Sequence, residues 1–249
     1  FVGADALTLG LTLDKVVAKQ VFLGEGIPTA EFFSTDNPDD AETLNTIGYP
    51  LIVKTRHEGS SKGITEESKV NNLEELKKRI RFVVENYNQP ALVEKFISGQ
   101  EFTIAVLGNG EEAQAMPVVQ TSINGQKDFE DKVYTNRNIY DGSVKYLCPA
   151  PVSAELTKTL QNLAVQVFRA VDCRDLARVD FRVDKKGQPY VLEINPLPSF
   201  DVEDVFHLFP KCFGASFEET IKLILNLALK RYNLIDKNFP IFYQQELMA

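Results

Sequence analysis

The stretch 177-ARVDFRVDKKGQPYVLEINPLPSF-200 decides the fold. Two apolar runs flank Lys185-Lys186-Gly187, so the segment reads as two strands around a tight turn. Successive strand residues point to opposite faces, which separates Asp180 from Phe181 and Glu193 from Ile194. Counting back from the turn brings Asp180 and Glu193 across from one another. The period of two places Asn195 with Glu193 and Arg178 with Asp180. Two carboxylates and an amide oxygen that converge in an apolar hairpin repel unless a cation sits between them. Hard oxygen ligands on a rigid sheet suit Mg²⁺ or Mn²⁺ together with substrate phosphates. Arg178 is placed to meet a phosphoryl group or a developing oxyanion. The bland alternative is a solvated polar hairpin face, against which the apolar VDF and VLEIN runs argue. Pro196 and Pro198 stiffen the exit.

Working outward, helices and strands alternate. Residues 13–24, LDKVVAKQVFLG, read as a helix closed by Gly24, with a strand after Pro28. LIVK at 51–54 is a buried strand that runs into small and polar residues. Residues 72–87 form an amphipathic helix with an Asn start and early acids. Residues 90–119 give two or three strands broken by Gly99 and by Gly108 to Gly110, and 121–147 read as a long polar loop. A helix over 153–171 opens at Ser153. A last helix over 216–231 carries a capping box, Ser216 with Glu219. The class is α+β.

The chain has 249 residues, 44% hydrophobic and 25% charged, enough for one large domain or two small ones. A boundary near 97–99 divides it into a first unit, 1–97, and a second, 98–249. The net charge of −8 speaks against a general nucleic-acid or anionic-membrane binder, both of which need a basic footprint. Three cysteines, Cys148, Cys173 and Cys212, lie far apart in sequence without CxxC and read as reduced core thiols of a cytoplasmic protein. Two histidines leave no multi-His zinc site. No apolar run reaches membrane-spanning length, and no signal segment opens the chain. It begins FVGADALTLG, in mid-pattern, and reads as a fragment that lost N-terminal sequence.

Two more segments bear on chemistry. In 54-KTRHEGSSKG-63 a lysine ends an apolar strand and enters a Gly/Ser loop, a pattern suited to phosphate, although GxxxxGK[ST] is absent. The alternative is an ordinary turn. In 92-LVEKFISGQEF-102, residues 94–97 form a strand whose backbone is free to read an adenine edge, with Glu94 and Glu101 as acceptors; the alternative is a solvated acidic face.

Taken in order, Lys15 in LDK, YPLIVKTRHEGSSKGI, ALVEKFISGQEFT, LCPA and ARVDFR…GQPYVLEIN resemble the D-alanine–D-alanine ligase family of ATP-grasp enzymes, over about residues 2 to 230. The resemblance implies a nucleotide gripped between two α+β subdomains with antiparallel sheets. It implies that ATP turns a carboxylate into an acyl phosphate, which an amine attacks to form an amide. By position, Lys15 and Lys54 bind ATP phosphates. Glu94, Lys95, Phe96 and Ile97 line the adenine pocket, and Glu101 takes the ribose. Ser60 and Ser61 sit in the loop over the phosphates, and Lys132 in FEDKVY reaches the γ-phosphate. Asp180, Glu193 and Asn195 match ligands of magnesium or manganese, implied as two ions. Arg178 matches the arginine that stabilises the acyl phosphate and the tetrahedral intermediate. The long loop is expected to act as a lid that excludes water. The substrates are small and amino-acid-like, and the family admits a homodimer.

Three departures qualify the match. The family's N-terminal domain does not precede Phe1. The chain reads 195-NPLPSFD-201, with Ser199 where the family has a glycine whose N–H helps form the oxyanion hole; serine keeps the N–H but not the backbone freedom. Asp204 stands where the family has a serine that meets the acceptor carboxylate. Asp201, Glu203 and Asp204 then form an acidic rim that repels a carboxylate, or else they cap a following helix. The reading is an ATP-dependent carboxylate–amine ligase with a divergent acceptor site. The alternatives are a true D-alanine–D-alanine ligase of cell-wall synthesis and a non-catalytic nucleotide-binding regulatory module. Retention of Lys15, Lys54, Arg178, Asp180, Glu193 and Asn195 argues against the last.

Overall fold

The computed structural model describes residues 1–130, 132–135, 138, 141–202 and 204–235. The helix expected over 13–24 is α2 (Lys15–Gly24), and a further helix that the sequence reading did not foresee, α1 (Ala6–Leu13), precedes it. Asp14 separates the two because its backbone is extended (φ −82°, ψ 98°) and its carboxylate accepts from the Val16 and Val17 N–H groups. Arg56 grips the same carboxylate through Nε and NH2 at 2.8 and 2.6 Å. The cap therefore fixes Lys15 as the first residue of α2.

A four-stranded sheet follows, built from β1 (Phe32–Thr35), β2 (Leu51–Thr55), β3 (Lys69–Val70) and β4 (Ala91–Lys95) in the order β1-β4-β2-β3. The short helix α3 (Ala41–Leu44) and the long α4 (Leu73–Tyr87) accompany it. Leu76, Ile80 and Val83 of α4 pack against Leu51, Val53, Ala91 and Val93. The intervening residues Ile52, Lys54 and Glu94 look out from the other face, into a cleft.

The second sheet contains β5 (Gly99–Asn109), β6 (Gln114–Ala115), β7 (Val119–Ile123), β8 (Val144–Leu147), β9 (Arg174–Asp184) and β10 (Pro189–Asn195). Its order is β10-β9-β5-β7-β8, with β6 added on β5, and every named pairing is antiparallel. On one face Phe102, Ile104, Val179 and Phe181 pack with Leu160, Val167 and Phe168 of α5 (Ala154–Ala170). Ala18 and Phe22 of α2 join that same core, so the first two helices of the chain pack with the second sheet. On the other face Ala105 and Leu107 meet Phe206 of α6 (Val205–Leu208) and Leu223 and Leu227 of α7 (Phe217–Arg231). α7 begins with the expected capping box of Ser216 and Glu219.

Two expectations need correction. The stretch 121–147 is not one loop: β7 runs through Ile123 and β8 returns at Val144, paired from Gln120↔Leu147 to Ile123↔Val144. Thr121 and Ser122 are buried there, and their polarity hid a strand. The cysteines are not all core thiols: Cys173 is buried, but Cys148 is half-buried and Cys212 exposed, and the Sγ atoms of these two free thiols lie 3.1 Å apart. Gly99, where the chain passes into β5, has φ +142°, and a Cβ there would stand 2.0 Å from the Val183 carbonyl oxygen. Only glycine allows that approach.

Candidate active site

The hairpin of β9 and β10 sets Glu193 opposite Asp180 and Asn195 opposite Arg178. It does so through a device that the turn alone does not reveal. Pro189, Tyr190 and Val191 pair with Val183, Arg182 and Phe181, and an unbroken count would place Leu192 against Asp180. A bulge between Val191 and Glu193 shifts the register by one and brings the second carboxylate round.

Asp180 is densely bonded. Arg178 donates to both its oxygens at 3.0 Å, Thr103 Oγ1 donates at 2.6 Å and Asn195 Nδ2 at 3.0 Å. Burial and the facing charge of Glu193 push the Asp180 carboxyl up, against the pull of Arg178. Burial also raises Glu193, but Lys15, Arg178 and Lys54 outweigh it and hold that carboxyl below its ordinary value. Lys15 Nζ stands 3.5 Å from Glu193 and also donates to the Glu58 carbonyl, in the loop after β2. Burial works against the Arg178 charge, yet Asp180 and Asp204 hold its guanidinium above the usual range. Two facing acids, Asp180 raised and Glu193 held below its ordinary value, with the Asn195 amide alongside, form a donor set that fits a hard divalent cation.

Across a cleft of about 600 Å³ lies the other sheet. Glu94 is 1% exposed, and its oxygens meet Lys19 and Lys54 Nζ, each at 2.5 Å. Burial alone would raise this carboxyl, but the two ammonium groups hold it at about 2. Lys95 turns aside and donates to the Gly48 and Tyr49 carbonyls, while Phe96 and Ile97 line the cleft. Ser60 and Ser61 both have φ +52° and line the cleft beside Gly59. These two left-handed residues form a turn closed by the Lys62 N–H donating to the Gly59 carbonyl at 3.0 Å, and non-glycine residues held in this region cluster at functional sites. Glu101 pairs with Arg182 at 3.4 Å, and burial pushes its carboxyl up. Among the described residues its Oε2 is buried without a hydrogen-bond donor.

The cleft gathers Lys15, Lys54, Ser60, Ser61, Glu94, Lys95, Phe96, Ile97, Glu101, Arg178, Asp180, Glu193, Asn195 and Ser199 from both sheets. Lys132 stands apart: it is exposed, and its ammonium bonds Gln126 within the same segment. At the mouth, Asp204 accepts from the Val205 N–H and lies 3.3 Å from Arg178 NH1. It thus both caps α6 and faces the site. Asp201 lines the cleft too, and Glu203 lies outside the described residues.

Sequence reasoning missed Thr103, Lys19, Arg182 and the tyrosines Tyr134 and Tyr146, whose hydroxyls interact with each other and are pushed up by burial. A lysine fully buried in an amphipathic helix is a signal of a kind, because an ammonium is never left in a core without a partner. Thr103 carried no local signal: its register partner lies 77 positions away.

Two antiparallel sheets that grip a cleft, with lysines and a serine loop on one and paired carboxylates on the other, define the ATP-grasp class. Comparison with known proteins narrows this. The family model "D-ala D-ala ligase C-terminus" matches residues 22–226. An uncharacterized protein, y4sG, of Sinorhizobium fredii is 35% identical over 238 residues, 93% of this chain and 67% of that protein. A D-alanine–D-alanine ligase of Janthinobacterium sp. (strain Marseille) is 35% identical over 235 residues, 92% of this chain and 70% of that one. The VanG D-Ala:D-Ser ligase of Enterococcus faecalis superposes with a TM-score of 0.75 at 28% identity, over 91% of this chain and 64% of that chain. The chain belongs to the D-alanine–D-alanine ligase family of ATP-grasp ligases. It spans about two thirds of the length of these relatives. Among the described residues no helix is long and apolar enough to cross a membrane.

Proposed function

We propose that the chain binds ATP between its two sheets and supplies the phosphoryl-transfer site of a carboxylate–amine ligase that works through an acyl phosphate. The observation that carries this reading is the pair Asp180 and Glu193, set opposite each other on one wall beside Arg178, with Lys15 and Lys54 reaching the same cleft. Phosphoryl transfer asks for positioning and charge neutralisation, and both kinds of group are present. Asp180, Glu193 and Asn195 are the residues to hold Mg²⁺, which when bound would neutralise phosphate charge. Lys15 and Lys54 then meet phosphate oxygens, and the Gly59–Ser60–Ser61 turn offers backbone N–H groups. Oε2 of Glu101, ion-paired with Arg182 at 3.4 Å but without a hydrogen bond, suits a ribose hydroxyl, which would complete its hydrogen bonding. Arg178, freed in part from Asp180, is placed to stabilise charge on the transferred group. In this reading residues 1–97 are the central subdomain that carries the nucleotide wall and residues 98–249 the metal and substrate unit, and the core that α2 shares with the second sheet ties the two together.

The test is magnesium-dependent phosphate release from ATP by the full-length protein, with amino acids offered singly and in pairs. Release with a carboxylate and amine pair supports the ligase. Nucleotide binding without release in any combination supports the regulatory module instead. Two acceptor readings remain, each with an observation behind it. Relatives named D-alanine–D-alanine ligase favour D-alanine as acceptor, whereas Asp204 at the mouth favours an amine that lacks a free carboxylate. Asp204→Ser separates them, because serine keeps the cap and removes the charge. A shift of about threefold or more toward carboxylate-bearing acceptors supports the divergent site. Unchanged preference makes Asp204 a structural residue and supports D-alanine.

A further inference from the structure

Lys19 is 1% exposed, lies in α2 and touches no part of the cleft, yet it holds an ion pair with a residue that does. Its Nζ is 2.5 Å from Glu94 Oε1 and 2.5 Å from Thr29 Oγ1, and it stands over the Phe32 ring at 5.8 Å. Thr29 passes the chain on by donating to the Val191 carbonyl at 2.8 Å, two residues before Glu193. The other oxygen of Glu94 takes Lys54 at 2.5 Å. Lys54 and Glu94 lie on neighbouring strands, where Ile52 is the register partner of Glu94, so the two side chains are diagonal neighbours on the cleft face.

One buried carboxylate therefore serves two ammonium groups, and the arrangement carries a surplus positive charge. A one-to-one pair of Glu94 with Lys54 would neutralise the lysine and fold it back onto the sheet. With Lys19 sharing the carboxylate, Glu94 still aims Lys54 but cannot cancel it. Burying a second ammonium is costly, and packing alone does not ask for it.

We propose that Lys19 is a positioning residue for the nucleotide site: by sharing Glu94 it leaves Lys54 oriented and electrostatically free to bind an anionic ligand. The inference rests on the nucleotide reading above. Lys19 touches no ligand itself, and its influence passes through Glu94 to Lys54. Burial drives the Lys19 ammonium below its ordinary value, Glu94 resists, and the charge of Lys54 adds to the lowering.

The experiment compares Mg–ATP and adenosine affinity by calorimetry for the full chain, Lys19→Gln and Lys19→Arg, each checked for its thermal transition. Lys19→Gln leaves Glu94 to neutralise Lys54, and Mg–ATP binding weakens about tenfold. Adenosine carries no phosphate, and its affinity stays within about threefold in the same variant. Lys19→Arg keeps a cation beside Glu94 and holds Mg–ATP affinity within about threefold of the wild-type chain. A role in packing alone weakens both ligands alike. Unchanged Mg–ATP affinity in Lys19→Gln overturns the inference, as does equal weakening of Mg–ATP and adenosine. If Lys19→Gln does not fold, Lys19→Arg decides: Mg–ATP affinity within about threefold of the wild-type chain supports the inference, and a greater loss refutes it. Absence of Mg–ATP binding by the wild-type chain is a different result, which sinks the nucleotide reading and takes this inference with it.

Discussion

The two walls of the cleft bury acids in opposite ways. On the four-stranded sheet Glu94 is overmatched by Lys19 and Lys54, and its carboxyl is held at about 2. On the six-stranded sheet Asp180 and Glu193 face each other, and Arg178, Lys15, Thr103 and Asn195 do not prevent burial and repulsion from raising Asp180. The first wall sets two cations against one acid, and the second, with Asp204 counted, sets three acids against Arg178 and Lys15. A ligand that is anionic where it meets the first and carries a cation where it meets the second fits between them, and a magnesium-bound triphosphate has that polarity. Burial is common to both walls, and the ratio of charges decides what each attracts.

The comparison can be broken at several points. The largest effect is expected in the overmatched wall. Glu94→Ala leaves the Lys19 ammonium buried without a carboxylate and Lys54 without its partner, and urea unfolding should show a loss of about 3–5 kcal/mol. A loss below about 1 kcal/mol would mean that Lys19 and Lys54 find other partners and that the surplus charge is not held by Glu94.

On the opposite wall, Asp180→Asn and Glu193→Gln preserve shape and remove a charge. Each should lower magnesium-dependent ATP turnover by about 10²- to 10³-fold while the thermal transition stays near that of the wild-type chain. Normal turnover in either variant would remove that residue from the metal set. Greater thermal stability in Asp180→Asn would sharpen the contrast, since it would show the acid to be kept at the expense of the fold.

A smaller effect belongs to the seam. Asp14 caps α2, which packs with the second sheet, and binds Arg56 just past β2 of the first. Burial raises its carboxyl, but Arg56, the Val17 N–H and His57 hold it at about 2. Because the folded value lies below the unfolded one, the stabilisation is fully present above about pH 4. It is lost as the pH falls through 2. Asp14→Asn keeps the cap and removes this pH-dependent part, about 1 kcal/mol after allowance for solvent screening. Acid unfolding curves of the two proteins should converge between pH 4 and pH 2. Parallel curves would show that the seam is not held by this charge.

Legibility followed range along the chain. The helices at 73–87, 154–170 and 217–231 were readable from period and caps, as was the β9–β10 hairpin from its turn. Asp180, Glu193, Asn195 and Arg178 could be grouped because they share one hairpin. Helix α1 was not legible, since ALTLGLTL carries two threonines and a glycine and buries Thr8 and Thr12, which blurs an apolar stripe.

The sequence by itself determined the α+β class, the three long helices, and the presence of acids, lysines and a serine loop in an order that marks the family. Those properties depend on neighbours within a few residues, where periodicity, caps and turns act. Only the tertiary structure decided the rest. The bulge at Leu192 that turns Glu193 toward Asp180 needs a neighbouring strand to define its register. The hydroxyl of Thr103 reaches Asp180 across 77 positions. Lys19 and Lys54 share Glu94 because α2 packs with one sheet while its ammonium reaches the other. Cys148 and Cys212 meet across 64 positions. Such contacts arise when separate elements bury their apolar faces together, and the chain between them carries no trace of where they will meet.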